Sequence, residues 1–246
     1  MATSRNPGRA TPDGAPRGRT GAGRNGEPPA TASDYVTERI RAEILSGNIP
    51  LGSRLDQQEL AEQMGVSTIP VREGLRRLEA SGLVRIHPRR GAFVAELSRD
   101  EVIDIKRIRE TLEELATRLG ARNIDEQRMA KLLELNERMG KLTSKAQAES
   151  WGDLNRQWHF TLYDAAGSPM LMEMIAMLWD RSSLYRHMYL GAPEHRRQSV
   201  REHAQVLDHL RAGKPAAAGR VIRNHIFGAS ARSLLAEADG PDMVAR

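Results

Sequence analysis

The stretch Leu51–Val94, LGSRLDQQELAEQMGVSTIPVREGLRRLEASGLVRIHPRRGAFV, decides how this 246-residue chain is read. A short helix starts near Asp56 with Leu60, Ala61 and Met64 on its inner face, and Gly65 breaks it. Val66 and Ser67 lead into a second helix. Ser67 or Thr68 stands where it can cap that helix, and Pro70 falls in the first turn, where a missing N–H costs nothing. Helix, short glycine-containing turn and helix together make a helix-turn-helix. In the second helix Val71, Leu75 and Leu78 form an inward stripe, while Arg72 and Arg76 share the outward face. Thr68 and Ile69 lie near its exposed N-terminal end, the part of a recognition helix that meets base edges. After Gly82 the periodicity changes to two: Leu83–His87, a turn at Pro88–Gly91, then Ala92–Ala95. That is a β-hairpin with Arg89 and Arg90 at its tip, a wing suited to the DNA backbone.

Upstream, Val36, Ile40, Ile44 and Leu45 recur at helical spacing until Gly47, Pro50 and Gly52 end the helix. Residues 34–97 therefore read as a winged helix-turn-helix. Residues 1–33 hold six Gly, five Pro and five Arg against Asp13 and Glu27, too little apolar surface to offset ordering, and read as a disordered basic tail. The chain's +5 is mostly in that tail, because residues 34–98 carry nine basic and nine acidic side chains. What points to nucleic acid is local: Arg72, Arg76, Arg77, Arg85, Arg89 and Arg90 against Glu73 and Glu79. Zero cysteines exclude a disulfide scaffold, a thiolate metal site and a cysteine nucleophile. No apolar run is long enough to span a bilayer and no secretory signal opens the chain, so a cytoplasmic protein is expected.

From Ser98 onward no strand is convincing. Ser98 and Glu101 form a capping box opening a helix to about Leu119, and further helices are expected at 125–146, 150–166, 169–190, 194–212 and 215–237. The fold class is thus mainly α: a winged head, then an antiparallel helical bundle over 98–238 and a tail at 239–246. Asn155 and His159, four apart, project from one helix face, and His203 and His225 occupy inward registers of two other helices. Three imidazoles and an amide oxygen could meet at one divalent ion, although each histidine alone reads more readily as a core residue than as a ligand. His87, His187, His195 and His209 read as structural or surface residues, and Trp158 as core or pocket wall.

The run GSRLDQQELAEQMGVSTIPVREGLRRLEASGLVRIHPRRGAFV resembles the DNA-binding domain of the GntR family of bacterial transcription regulators. The resemblance implies double-stranded DNA as partner, with Ser67, Thr68, Ile69, Arg72, Arg76, Arg89, Arg90 and Gly91 at the contacting positions. Thr68 stands where the family usually has arginine, which implies a different operator preference. The segment from Ser98 to Leu235 resembles the all-helical FCD domain of FadR-type members. Its pieces here are Arg109, Leu112 and Glu113; Asn155 and His159; Glu202, His203 and Val206; and His225 with Ile226. That resemblance implies a divalent metal, zinc or else nickel, held by Asn155, His159, His203 and His225. The neutral Asn155 replaces the aspartate of many members and would hold a cation less strongly.

A small carboxylate effector would complete such a site, with Arg109 at the family's cavity position and Arg181 and Arg186 as further cations. The expected protein is a homodimeric, ligand-responsive repressor on a near-palindromic operator, not an enzyme. Two alternatives stand beside it. A metal-dependent hydrolase would need a general base that no carboxylate obviously supplies. A DNA-binding dimer without effector would have its cavity filled by side chains.

Overall fold

The structure, a computed structural model, describes residues 31–190 and 193–236. The tail expected at 239–246 and most of that at 1–33 lie outside the described residues. Helix α1 (Ala32–Leu45) starts two residues before the expected head boundary because Thr31 and Asp34 close a capping box over it. Those bonds, then the Arg77 guanidinium 2.5 Å away, hold the Asp34 carboxyl down at about 2.

α2 (Gln57–Met64) is capped by Asp56, whose carboxylate accepts from the N–H groups of Gln58 and Glu59, and it ends at left-handed Gly65. α3 (Thr68–Ala80) has Ser67 in the N-cap position, yet the Ser67 side chain makes no cap bond. Pro70 occupies the third helical position and removes one of the two N–H groups that a capping side chain could take, leaving that of Ile69. The Ser67 hydroxyl stays exposed at the tip of the helix.

The hairpin pairs β2 (Val84–His87) with β3 (Gly91–Val94), and a third strand not expected from the sequence, β1 (Arg54–Leu55), pairs with the other edge of β3. At the tip, Arg90 N–H donates to His87 C=O across Pro88 and Arg89, and Arg89 is held at φ +63°. The head's core, built on Val36, Ile40, Val71, Leu75, Leu78, Leu83 and Val94, continues into Val102, Ile105, Leu178 and Leu184 of the helices that follow.

Six helices follow: α4 (Arg99–Gly120), α5 (Glu126–Lys141), α6 (Ala148–Asp164), α7 (Pro169–Leu190), α8 (Pro193–Arg211) and α9 (Pro215–Ala236). The Ser98–Glu101 capping box forms as expected. α5 stops at Lys141, five residues short of its expected end, and a 3-10 turn at Lys145–Gln147 leads into α6. The second core gathers Leu132, Leu135, Met139, Trp151, Leu162, Ile175, Val206 and Ile222.

α7 joins head to bundle. Asp180 accepts both Nε (2.9 Å) and Nη2 (2.6 Å) of Arg41 on α1, and its other oxygen accepts Arg156 of α6 at 2.9 Å. Asp180 is 6% exposed, so this carboxylate is a buried staple between three helices. Arg181 lies against left-handed Gly82, whose added Cβ would stand 2.7 Å from Arg181 Nε. Removing the carboxylate strands two half-buried guanidiniums. Asp180→Ala is expected to lower stability by about 2 kcal/mol, read as a shift of the urea midpoint at constant slope.

Candidate metal centre and nucleic-acid interface

On the head, the residues expected to face DNA are outward. Arg72, Arg76, Arg89 and Arg90 are exposed, and Ile69 is 71% exposed at the start of α3. The six arginines separate into two groups. Arg77 is tied to Asp34 and Glu73, and Arg85 to Glu101, so those two stabilise the head and its junction. Among the described residues Arg72, Arg76, Arg89 and Arg90 form no ion pair, and Arg90 lies 6.0 Å over the Phe93 ring. Gly91, at φ +100°, keeps the wing tip free of a side chain beside Arg89 and Arg90.

In the bundle the three histidines meet. One nitrogen from each of His159, His203 and His225 lies within 4.8 Å of the others, and all three rings are buried. The hydrogen bonds around them set how the rings are turned. Burial, then the neighbouring Glu113 charge, pushes the Tyr163 phenol well above its ordinary range, so its O–H stays protonated and donates to Glu113 Oε2 at 2.5 Å. The same oxygen stands 2.9 Å from His159 Nδ1 and, having used its own proton, accepts from Nδ1–H. His159 thereby turns its Nε2 toward His203. Glu202 Oε2 accepts Nδ1–H of His225 at 2.6 Å. His203 Nε2 is 3.3 Å from His159 Nε2, and its Nδ1 has no hydrogen-bond partner. Burial first, then His225, holds the His203 pKa well below its ordinary value, so the ring is neutral.

Imidazoles oriented by a hydrogen bond at the far nitrogen, as His159 and His225 are, are how proteins hold metal-ligating histidines. The 3.3 Å between two Nε2 atoms equals the edge of a tetrahedron with metal–nitrogen bonds of roughly 2.0–2.1 Å. Asn155, one turn before His159, has a buried Oδ1 with no hydrogen-bond partner. The donor set fits a divalent ion of the zinc type, held by nitrogen and one neutral oxygen.

Arg109 is buried and ordered. Its Nε donates to Glu113 Oε1 at 2.6 Å, its Nη1 donates to Ser182 Oγ at 2.7 Å, and the guanidinium stacks 4.4 Å from the Trp179 ring centre. Trp158 is wholly buried and stacks on His203 at 3.8 Å, a wall of the cluster. Arg181 is not gathered here: it faces the head, 3.8 Å from Glu101. The side chain of Arg186 lies outside the described residues. The sequence reading missed the roles of Tyr163, Glu113 and Glu202. Its available signal was spacing, since Tyr163 follows His159 by four and Glu113 follows Arg109 by four.

With that geometry in hand, comparison with known proteins is direct. Residues 32–94 match the model of the gntR family of bacterial regulatory proteins, and residues 104–228 match the FCD domain. The chain belongs to the GntR family, in the branch that carries an FCD domain. It is 31% identical over 179 residues, 72% of this chain and 81% of the relative, to the HTH-type transcriptional regulator McbR of Escherichia coli K12. A solved structure of E. coli McbR/YncC superposes with a TM-score of 0.72 at 26% identity, covering 85% of this chain and 99% of that one. A 93-residue match at 38% identity, 38% of this chain and 41% of the relative, is to a protein described as a probable D-xylose utilization operon transcriptional repressor from Paenarthrobacter nicotinovorans. This GntR protein is therefore a transcription regulator and not an enzyme. No helix among its described residues is long and apolar enough to cross a membrane.

One further cation sits in the FCD core. Lys106, one turn ahead of Arg109 on α4, is 5% exposed, and burial, then Arg109, lowers its pKa to about 8. The unfolded chain binds this proton up to the ordinary lysine value, so folding stability rises with pH from about 8 to 10.5. Lys106→Met is expected to raise stability at pH 7 by about 1–2 kcal/mol and to flatten that rise. Urea melts at pH 7 and pH 10 measure both; equal stability of the two proteins at both values would contradict it.

Proposed function

We propose that this GntR regulator is a ligand-responsive repressor, homodimeric on a near-palindromic operator, whose FCD domain binds a divalent metal and a small organic acid. The observation that carries the reading is the convergence of three buried histidine rings, two of them oriented by hydrogen bonds at Nδ1, on a helix face that also carries the buried, unpartnered Asn155 oxygen. His159, His203, His225 and Asn155 would hold the metal, zinc in preference to nickel, and it would supply a Lewis-acidic centre for a carboxylate. Arg109, held by Glu113 and Ser182, provides the guanidinium that orients the acid. The repressor assignment is supported by the repressor named among the relatives.

On DNA, Ser67, Thr68, Ile69, Arg72 and Arg76 present the start and outer face of α3 to the major groove. Arg89, Arg90 and the bare backbone of Gly91 reach the adjacent backbone or minor groove. Ligand binding would change operator affinity through α7, which carries Ser182 on the Arg109 side and Asp180 and Arg181 on the head side. Such coupling requires the ligand to favour one of two head arrangements. Within this reading the domains divide as 34–97, the winged head, and 98–238, the effector and dimer domain.

Zinc is expected to raise the thermal midpoint of the metal-stripped protein. His159→Ala and His203→Ala should abolish that shift, Asn155→Asp should tighten zinc binding, and Tyr163→Phe should weaken it about 10–100-fold. Calorimetric titration measures each, and a midpoint indifferent to zinc overturns the metal reading. Arg72→Ala is expected to cost about 1–3 kcal/mol in operator affinity by fluorescence anisotropy on the intergenic DNA upstream of the gene. Citrate serves as the probe acid in the same assay: unchanged operator affinity across a panel of small carboxylates at saturation leaves a DNA-binding dimer without effector.

A further inference from the structure

The two-residue strand β1 brings to the wing a cation that belongs to neither the recognition helix nor the hairpin. Arg54 pairs with Phe93 and Leu55 with Ala92. Leu55 and Ala92 are buried in the core, so Arg54 and Phe93 share the outward face of the sheet. On that face the next position of β3 toward the tip is Gly91, the diagonal neighbour of Arg54 and within reach of a long side chain. The arginine takes that direction: a Cβ added at Gly91 would stand 3.6 Å from Arg54 Nε.

The wing tip thereby gathers three guanidiniums. Arg89 and Arg90 immediately precede Gly91, Arg90 lies 6.0 Å over the Phe93 ring, and Arg54 lies alongside Gly91. All three side chains are exposed, and among the described residues none of them forms an ion pair. Asp56 feels the Arg54 charge, but its carboxylate is committed to the Glu59 and Gln58 N–H groups that open α2. Like charges collected at one end of a small sheet repel one another until an anion comes between them. β1 also runs directly into α2, the helix that crosses the DNA backbone in a helix-turn-helix. Arg54 therefore stands between two elements that border the duplex.

We infer that Arg54 is a third phosphate-binding arginine of the wing, gripping the DNA backbone beside Gly91 together with Arg89 and Arg90. The inference rests on the placement of the wing against DNA proposed above and adds a contact from outside the hairpin. Its chemistry is independent of sequence: a guanidinium on a phosphate fixes the register of the head on the duplex and carries no base preference.

The test is the salt dependence of DNA affinity in the full chain, read by fluorescence anisotropy on the intergenic duplex and on a scrambled duplex of equal length. Arg54→Gln is expected to weaken both about tenfold for each bound head at 0.1 M salt, and to make the slope of log affinity against log salt shallower by about 0.9 per head. Arg54→Lys keeps the charge and is expected to keep the slope. Ethylation of one backbone phosphate in each half-site is expected to weaken the wild type and to leave Arg54→Gln unaffected. The slope counts neutralised phosphates, so an Arg54→Gln protein that melts earlier but keeps the wild-type slope assigns a structural role and overturns the inference. Arg90→Gln serves as the reference. If neither variant shifts the slope, the placement of the wing itself fails. If Arg90→Gln shifts it and Arg54→Gln does not, or if Arg54→Gln loses affinity for the intergenic duplex alone, only the Arg54 contact is overturned.

Discussion

A carboxylate cannot be taken fully out of water unless other groups replace that water, and Glu113 is 0% exposed at the middle of α4. Its two oxygens are served from two directions, by the Arg109 guanidinium on its own helix and by the Tyr163 hydroxyl on α6. Each partner passes the constraint on. Arg109 is carried to Ser182 and Trp179 on α7, and Tyr163 fixes the tautomer of His159. Three helices are thereby held in one relation by a single buried charge. The same charge determines which nitrogen of His159 faces the cluster. Loss of Glu113 would leave Arg109 buried without its anion and Tyr163 without its acceptor, so packing and site chemistry have a common origin.

Most of the architecture was legible because it depends on local periodicity and punctuation. The apolar spacings of α3 and the capping box at Ser98 are local events, and local rules found them. β1 was invisible because two residues cannot display an alternation; Arg54 and Leu55 are strand only because β3 offers an edge. Ser67 holds the cap position without a cap bond, and Pro70 leaves it only the Ile69 N–H as a donor. At the site, the three histidines and Asn155 could be proposed from register and resemblance. The roles of Tyr163 and Glu202 could not be weighed in the same way, since a tyrosine or glutamate one turn away is ordinary until the neighbouring helix is known. The sorting of arginines was likewise tertiary. Arg77 and Arg85 look like their neighbours in sequence, but Asp34 and Glu101 bind them from other helices.

That sorting explains how a neutral head can present a cationic face. Nine acids balance nine bases over residues 34–98, yet several acids are spent internally, on helix caps at Asp34 and Asp56 and on Arg77 from Glu73. The bases at α3 and the wing are left outward. The fold thus converts zero net charge into a local positive field, which is the quantity that matters for phosphate. Arg89 shows the priority given to that surface. It occupies a left-handed conformation that glycine would adopt without strain, at a cost of about 1–2 kcal/mol for a side chain with a Cβ. A turn selected for stability alone would carry glycine there.

The polar atoms left without protein partners argue in the same direction inside the bundle. A buried polar group that finds no hydrogen bond costs about 1–3 kcal/mol, and natural cores keep few of them. Here Asn155 Oδ1 lacks one, on α6 one turn from His159 and on the helix face shared with the cluster of buried imidazoles. Leucine or phenylalanine at these positions would fill the space more cheaply, as they do in the core around Leu132 and Leu135. Packing alone therefore gives no reason for this chemistry at the centre of the domain. A cation that takes the Asn155 oxygen and the three Nε2 atoms supplies such a reason. Because that donor set is neutral, it leaves the ion's charge uncompensated, which an anionic ligand can offset.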